Sequence, residues 1–245
     1  MRHALQQSDP PAPRFSVTWR WVEALALVCG MTVQIARAGV SVTPVPPAKP
    51  LLADSFDTNN VAGSAPVDWR ISASEGTTVR VVDASVMEPF SPPYCLELVD
   101  NSPKGRAEIY RDFPPSASGQ ASAVFKLRTV ATAHAVLQLR TARGVHLCSV
   151  IFASGGWMRY EGQGGAVNTT TSWKPDAWQK LQIEWFTDST FTASLGDAPL
   201  AQRVHFVTDG TPGQLHVITG YSTAINKTSY VDNVEVVGGE GRALE

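Results

Sequence analysis

The stretch Trp178–Leu200, WQKLQIEWFTDSTFTASLGDAPL, decides the fold. Leu181, Ile183 and Trp185 alternate with Lys180, Gln182 and Glu184. That period of two belongs to a strand with one dry and one wet face. Thr187–Thr190 is short and polar, with the Asp and Ser that turns favour. Phe191, Ala193 and Leu195 then alternate with Thr190, Thr192 and Ser194, so a second strand returns. Gly196-Asp197 supplies another turn, and Leu200 opens a third apolar run. An amphipathic helix fits poorly: the period is wrong, Thr and Phe are frequent, and caps are missing. The alternation predicts Leu181, Ile183 and Trp185 in a core and Glu184 in solvent. The hairpin itself carries no candidate chemistry.

The same character extends outward. The chain has 245 residues, 43% of them hydrophobic and only 17% charged, with 19 Gly and 17 Pro. That is enough apolar material for one full-sized core, in a composition suited to an all-β protein with many turns. Residues 1–38 hold four of the 20 basic and two of the 22 acidic groups, which leaves 16 against 20 and a net charge of −4 beyond them. A nucleic-acid partner, which needs a basic footprint, is disfavoured.

Arg14 and Arg20 precede an apolar stretch, Val22–Ile35, which is followed by Ala36-Arg37-Ala38. This is the layout of a signal peptide, so residues 1–38 are read as a leader and the chain as exported, to the periplasm or beyond. An uncleaved anchor is the alternative. The stretch falls short of the roughly 20 apolar residues of a comfortable span, and no later segment could cross a bilayer, so no transmembrane domain is expected in the mature chain. Residues 39–50, GVSVTPVPPAKP, form a Pro-rich linker. Cys29 leaves with the leader. Cys95 and Cys148 then make an even pair in an exported chain, consistent with one disulfide or with two separate buried thiols.

Strand-like segments follow at short intervals: Leu51–Asp57, Val67–Ser72, Val79–Val82, Tyr94–Val99, Ala107–Phe113, Ser122–Arg128, Ala135–Thr141 and Val145–Phe152 before the hairpin region. Trp157–Tyr160 and Val167–Ser172 lead into it; Gln202–Phe206, Gln214–Gly220 and Ser229–Val237 follow it. Residues 238–245 read as a small tail. No segment has a helical period, and the spacing is that of a large sandwich.

Three places resemble the concanavalin A-like lectin/glucanase jelly rolls, in particular the laminin-G-like domains of secreted bacterial proteins. They are the opening LLADSFDTNN…APVDW, the Trp178–Leu200 hairpin, and the closing SYVDNVEV. The resemblance covers residues 51–237 and implies a two-sheet antiparallel jelly-roll sandwich. In such domains an acidic residue on the first strand and one on the last share a calcium ion. Asp54 and Asp232 are the matching positions, with Asn233 nearby.

The fold alone does not name an activity. Laminarinase-type glycosidases of this fold carry E-x-D-x-x-E on one strand. Glu97, Glu108 and Glu184 each lack the second acid two residues on. Alginate-lyase-like enzymes carry R-x-E-(L/V)-R on one strand and Q-(I/V)-H on another, and here the resemblance is partial. Arg106-Ala107-Glu108-Ile109-Tyr110-Arg111 is one residue longer, and Gln138-Leu139-Arg140 has Arg in place of His. Gln214-Leu215-His216 contains Q-x-H, but later in the order. Arg106, Glu108, Gln138 and Arg140, with Tyr221 as base and acid, would form a uronate subsite; the same four residues also suit a solvated polar sheet face.

Non-catalytic sugar binding needs aromatic platforms. Trp157, Tyr160, Trp173 and Tyr221 lie in or beside Gly- and Thr-rich segments and are the candidates, whereas Trp69, Trp178 and Trp185 read as core. The five histidines show no zinc spacing. The preferred reading is an exported, non-catalytic module that recognises polysaccharide. A uronate-polymer lyase and a structural envelope or adhesion protein are the alternatives. No organic cofactor is expected.

Overall fold

The computed structural model describes residues 50–132, 134–220 and 226–239. The leader, all of the linker but Pro50, Tyr221 and the end of the tail lie outside them. Among the described residues there is no helix, and so none long and apolar enough to cross a membrane.

Among the described residues, fifteen strands build the domain. In chain order they are β1 (Pro50–Asp54), β2 (Arg70–Ala73), β3 (Thr77–Asp83), β4 (Tyr94–Asp100), β5 (Arg106–Asp112), β6 (Gly119–Leu127), β7 (Ala135–Thr141) and β8 (His146–Phe152). They continue with β9 (Trp157–Gly162), β10 (Gly165–Ser172), β11 (Gln179–Trp185), β12 (Thr190–Leu195), β13 (Ala198–His205), β14 (Pro212–Gly220) and β15 (Lys227–Gly238). Every pairing is antiparallel. One sheet runs β13-β12-β11-β6-β15-β4-β3, with β1 paired to β15 beside β4; the other runs β10-β9-β8-β7-β14-β5-β2.

The hairpin forms as its alternation requires. Leu181 lies opposite Leu195, and Trp185 opposite Phe191. Asp188 closes the turn by accepting from Thr190 Oγ1 at 2.6 Å, and Ser189 takes the positive φ of 59°. Leu181, Ile183 and Trp185 are buried, and Glu184 is exposed. Gln202–Phe206 is not a separate strand; its residues to His205 continue the run from Ala198 within β13, and Phe206 follows the strand's end.

The core lies between the sheets. Phe125, Phe152, Phe191 and Trp185 are its largest wholly buried side chains from the facing strands. Trp185 anchors the layer further: its Nε1 donates to Ser116 O at 2.9 Å, and its ring passes close over Gly119. A Cβ at Gly119 would sit 2.6 Å from that ring and 2.5 Å from Val237 O, so only glycine fits there. At one end the sheets are tied by Asp54. Its carboxylate accepts from Trp69 Nε1 at 2.8 Å and from Phe56 N at 2.7 Å, and it pairs with Arg111 of β5 at 3.3 Å. At β4 and β15, Lys227 pairs with Asp100 at 2.7 Å, both side chains wholly buried.

Trp69 and Trp185 are core residues, as their pattern suggests. Trp178 is not. It packs on the outer side of the eight-stranded sheet against Val82, Met87, Cys95 and Tyr230, a small cluster separate from the main core. The Cys95–Cys148 disulfide does not form. Cys95 belongs to that outer cluster, whereas Cys148 of β8 lies in the core of the other sheet, and both thiols are free. Burial pushes the Cys95 thiol up to about 12, and burial likewise raises Cys148.

Candidate functional site

On β5, β14, β7 and β8, residues such as Ile109, Val217, Leu137 and Val150 point into the core. Their chain neighbours therefore line the outer face of the seven-stranded sheet. The register arranges these neighbours in rows across the strands. One row reads Arg70, Tyr110, His216, Gln138, Ser149, Glu161. Beside it, Asp112, Gln214, Arg140 and His146 make another. On the other side, Glu108 leads into Ile218, Val136 and Ile151, a buried apolar patch, and then Arg159.

A polar outer face normally faces water. This one does not at its centre: Glu108 is 2% exposed, His216 3% and Gln138 5%. Buried polar groups must be paired, and these are. Glu108 binds Arg106 Nε at 2.9 Å, Arg140 Nη2 at 3.4 Å and His216 Nδ1 at 2.7 Å. Arg140 Nε donates to Gln138 Oε1 at 2.5 Å, Gln138 Nε2 to Ser149 Oγ at 2.8 Å, and Ser149 Oγ meets His146 Nε2 at 2.8 Å. On the other side Gln214 Nε2 donates to Asp112 Oδ1 at 2.8 Å, and Asp112 pairs with Arg70 at 2.6 Å. Tyr110 stacks on His216, with ring centroids 4.8 Å apart and an interplanar angle of 7°, and Arg70 lies 5.6 Å from the Tyr110 ring centre. The network is continuous from β2 to β8.

Its charge states follow from this packing. Burial pushes the Glu108 carboxyl up, but the His216 hydrogen bond and the charges of Arg106, His216 and Arg140 outweigh it, so Glu108 titrates below its ordinary value. Gln214 donates to Asp112 and Ala142 O, which aims its Oε1 at His216 Nε2, 3.2 Å away. Two acceptor oxygens thus face the ring, an arrangement suited to an imidazolium. Burial opposes this and is the larger effect, so His216 titrates below its usual value. His146 is likewise lowered, by burial first, with Glu161 acting against it. With Glu108 ionised and His216 neutral, two guanidiniums stand over one carboxylate. Around Glu108 this leaves a local excess of positive charge, with Asp112 and Glu161 further along the same face.

Arg106, Glu108, Gln138 and Arg140 are therefore brought together, as a subsite requires, and Glu108 and Gln138 are too buried for a plain solvated face. Tyr110, Gln214 and His216 join them. Their Q-x-H pattern is plain in the chain, but its place is not: β14, late in sequence, inserts between β5 and β7. The three aromatic candidates among the described residues do not form one platform. Trp157 is 53% exposed at the start of β9. Tyr160 faces inward, edge-on to Phe191 at 6.3 Å. Trp173 is 3% exposed, edge-on to Phe152 at 6.0 Å, with Nε1 donating to Ala153 O at 3.0 Å; its place against the sandwich interior makes it a core residue, not a platform. Tyr221 lies outside the described residues.

The two acidic candidates for a cation lie on opposite sides of their sheet. Asp54 is tied inward to Trp69 and Arg111, while Asp232, opposite Val124, points outward to Ser91. Among the described residues, no three His, Cys, Asp or Glu side chains gather to hold a metal. Asp232 is raised to about 6, by burial first, with Asp57 adding to it.

No protein-family model and no curated protein matches the sequence. Solved structures do match the fold. A sialidase aligns with a TM-score of 0.59 at 13% identity over 71% of this chain, which spans 17% of that protein. Cellulose induced protein Cip1 aligns at 0.56 and 19% identity over 77% of this chain and 97% of its own. The exoplasmic/lumenal domain of VIP36, in a form bound to Ca2+ and Man2, aligns at 0.52 and 10% identity over 80% of this chain and 91% of its own. At such identities the likeness concerns the fold. The domain is an all-β, two-sheet antiparallel jelly-roll sandwich of the concanavalin A-like type.

Proposed function

We propose that the domain is a recognition module for an acidic polysaccharide, bound on the outer face of the seven-stranded sheet. The observation that carries this is the Arg106–Glu108–Arg140 group. Two guanidiniums share one buried carboxylate, which His216 also binds, and Gln138 accepts from Arg140. Guanidinium forks pair with carboxylates in two-point fashion, which suits a uronate. The resemblance of the fold to a sialidase and to a Man2-bound domain agrees with a carbohydrate ligand. Against catalysis stands the saturation of the network. His216 and Glu108 are buried and bonded to each other, so neither is open to a substrate proton.

The test is electrophoresis through gels containing alginate or polygalacturonate. Retardation is expected, weakening with salt and falling about tenfold or more, ~1.4 kcal/mol, in Arg106→Ala and Arg140→Gln. Unretarded migration in both gels, or equal retardation of the variants, would overturn the reading.

One observation favours a second reading, a uronate lyase. Tyr110 is half-buried on the same face, between Arg70 and His216. In β-elimination the arginines would neutralise the uronate carboxylate while Tyr110, as the phenolate, takes the proton beside it and, as the phenol so formed, returns it to the departing oxygen. Ultraviolet absorbance of unsaturated product, lost in Tyr110→Phe while gel retardation persists, would establish this reading. No absorbance from either polymer would dismiss it.

A further inference from the structure

The opposite sheet carries a second feature, unrelated to the Arg106–Glu108 face. The loop between β3 and β4 is seated on the outer side of the eight-stranded sheet through Met87, which packs on Val82, Cys95 and Tyr230. It is pinned twice more. Trp178 Nε1 donates to Glu88 O at 3.2 Å, and Ser91 N donates to Asp232 Oδ2 at 2.8 Å. Between these pins Phe90 is 52% exposed, edge-on to Trp178 with centroids 6.2 Å apart. A large apolar ring held at the surface by two anchors on either side is preorganised for contact.

Phe90 and Trp178 form the wall of a hollow of about 640 Å3, with Val124 and Val234 among its apolar lining and Ser122, Lys180, Asn233 and Glu235 among its polar lining. The volume falls within the ~300–1,000 Å3 of ligand clefts. A second hollow, about 410 Å3, has Gln182, Glu184, Thr192, Ser194, Gln202 and Arg203 as its polar lining. The two meet on β11. Lys180 belongs to the first and Gln182 to the second, two residues apart on one face and so ~7 Å from each other. Together they make a track across the sheet, aromatic at one end and rich in amide and hydroxyl groups at the other. The charge differs from that of the opposite face. Among the described residues neither Lys180 nor Glu235 forms an ion pair, and their charges offset. Asp54 and Arg203, which also line the hollows, are paired with Arg111 and Asp188, and Glu184 adds one exposed carboxylate, so the track has no excess of positive charge to draw an acidic polymer.

We infer that this track binds a neutral polysaccharide chain. A sugar ring lays its C–H face on the aromatic wall, and its hydroxyls, which both donate and accept, match the mixed lining of Gln182, Thr192, Ser194 and Glu235. A track of two joined hollows suits an extended polymer better than a single compact ligand.

The experiment is electrophoresis through gels containing hydroxyethylcellulose or galactomannan, with an alginate gel in parallel. Retardation by at least one neutral polymer is expected, reduced fivefold or more in Phe90→Ala and in the double variant Gln182→Ala/Thr192→Ala. It should be retained in Phe90→Trp and in Arg106→Ala. Melting curves of each variant, with gels run well below its midpoint, show that no loss is due to unfolding. Absence of retardation in both neutral gels overturns the inference, as does retardation that survives the track variants or disappears in Arg106→Ala. The alginate lane reports on the other face alone, so either site can fail without the other.

Discussion

Glu108 illustrates how one side chain takes its meaning from strands far away in sequence. In the chain it is an acid between Ala107 and Ile109, as any outward strand position would be. In the fold it receives Arg106 from its own strand, His216 from β14 and Arg140 from β7. Breaking a buried ionic group by removing one partner costs more than the group contributes, because uncompensated charge remains. Glu108→Gln should therefore destabilise the domain by ~3 kcal/mol or more, read as a lower urea midpoint. The change should also lower the His216 pKa further, since the hydrogen bond and charge that raise it are gone, and NMR titration of the ring reads this. An unchanged midpoint would show that the arginines re-solvate freely and that the network is not tight. The residue types of the site were thus legible in RAEIYR and QLR, and their convergence was not. Nothing local to Gln214-Leu215-His216 says that its strand lies between the other two. For the aromatics the reverse holds. Trp173 stands in a Thr-rich stretch that reads as exposed, and only the turn back over Phe152 buries it.

At the scale of elements, the period-two pattern was a faithful guide wherever one face is dry. β7 spans Ala135–Thr141 as the alternation of Leu137 and Leu139 requires, and β11 buries Leu181, Ile183 and Trp185. The pattern failed where a loop covers the wet face. Trp178 precedes β11 and reads as core, yet it lies beneath the β3–β4 loop. The hairpin that carries no chemistry in the sequence supplies, through Lys180, Gln182 and Glu184, part of both hollows. The loop rests on Asp232, whose folded pKa of about 6 exceeds the ordinary 3.8. Below 3.8 the carboxyl is neutral whether folded or unfolded, and the fold bears no cost from it. As pH rises through 6, the buried group must ionise and stability is lost. At ~1.4 kcal/mol per pKa unit the loss is on the order of 3 kcal/mol at most. Asp232→Asn should consequently raise the melting temperature at pH 8 and make little difference at pH 3.5. A variant less stable than the parent at pH 8 would mean that the bonds from Ser91 and Asn233 outweigh the burial of charge.

Across the whole molecule, one buried and two half-buried histidines shape the expected response to acid. His134 is lowered to about 4 by burial first and by Lys227 and Arg159 next, and His146 and His216 are lowered by burial as well. A histidine whose folded pKa lies below its unfolded 6.5 contributes stability that is whole above 6.5 and drains away as pH falls toward the folded value, because the unfolded chain takes the proton first. His134 alone is worth on the order of 3 kcal/mol between 6.5 and 4. Asp232 works in the opposite sense over nearly the same range, and to a similar extent. The two offset each other, which leaves His146 and His216 to tip the balance toward loss. The urea midpoint should therefore fall as pH drops from 7 to 4, and it should fall more steeply in Asp232→Asn, where the opposing group no longer titrates. A parent midpoint that rises over that range, or a variant that parallels the parent, would show that burial of these histidines is not what governs the fold's stability in acid. Because His216 is one of them, the same acidification places a positive charge beside Arg106 and Arg140. Retention by alginate should then strengthen just before the domain unfolds.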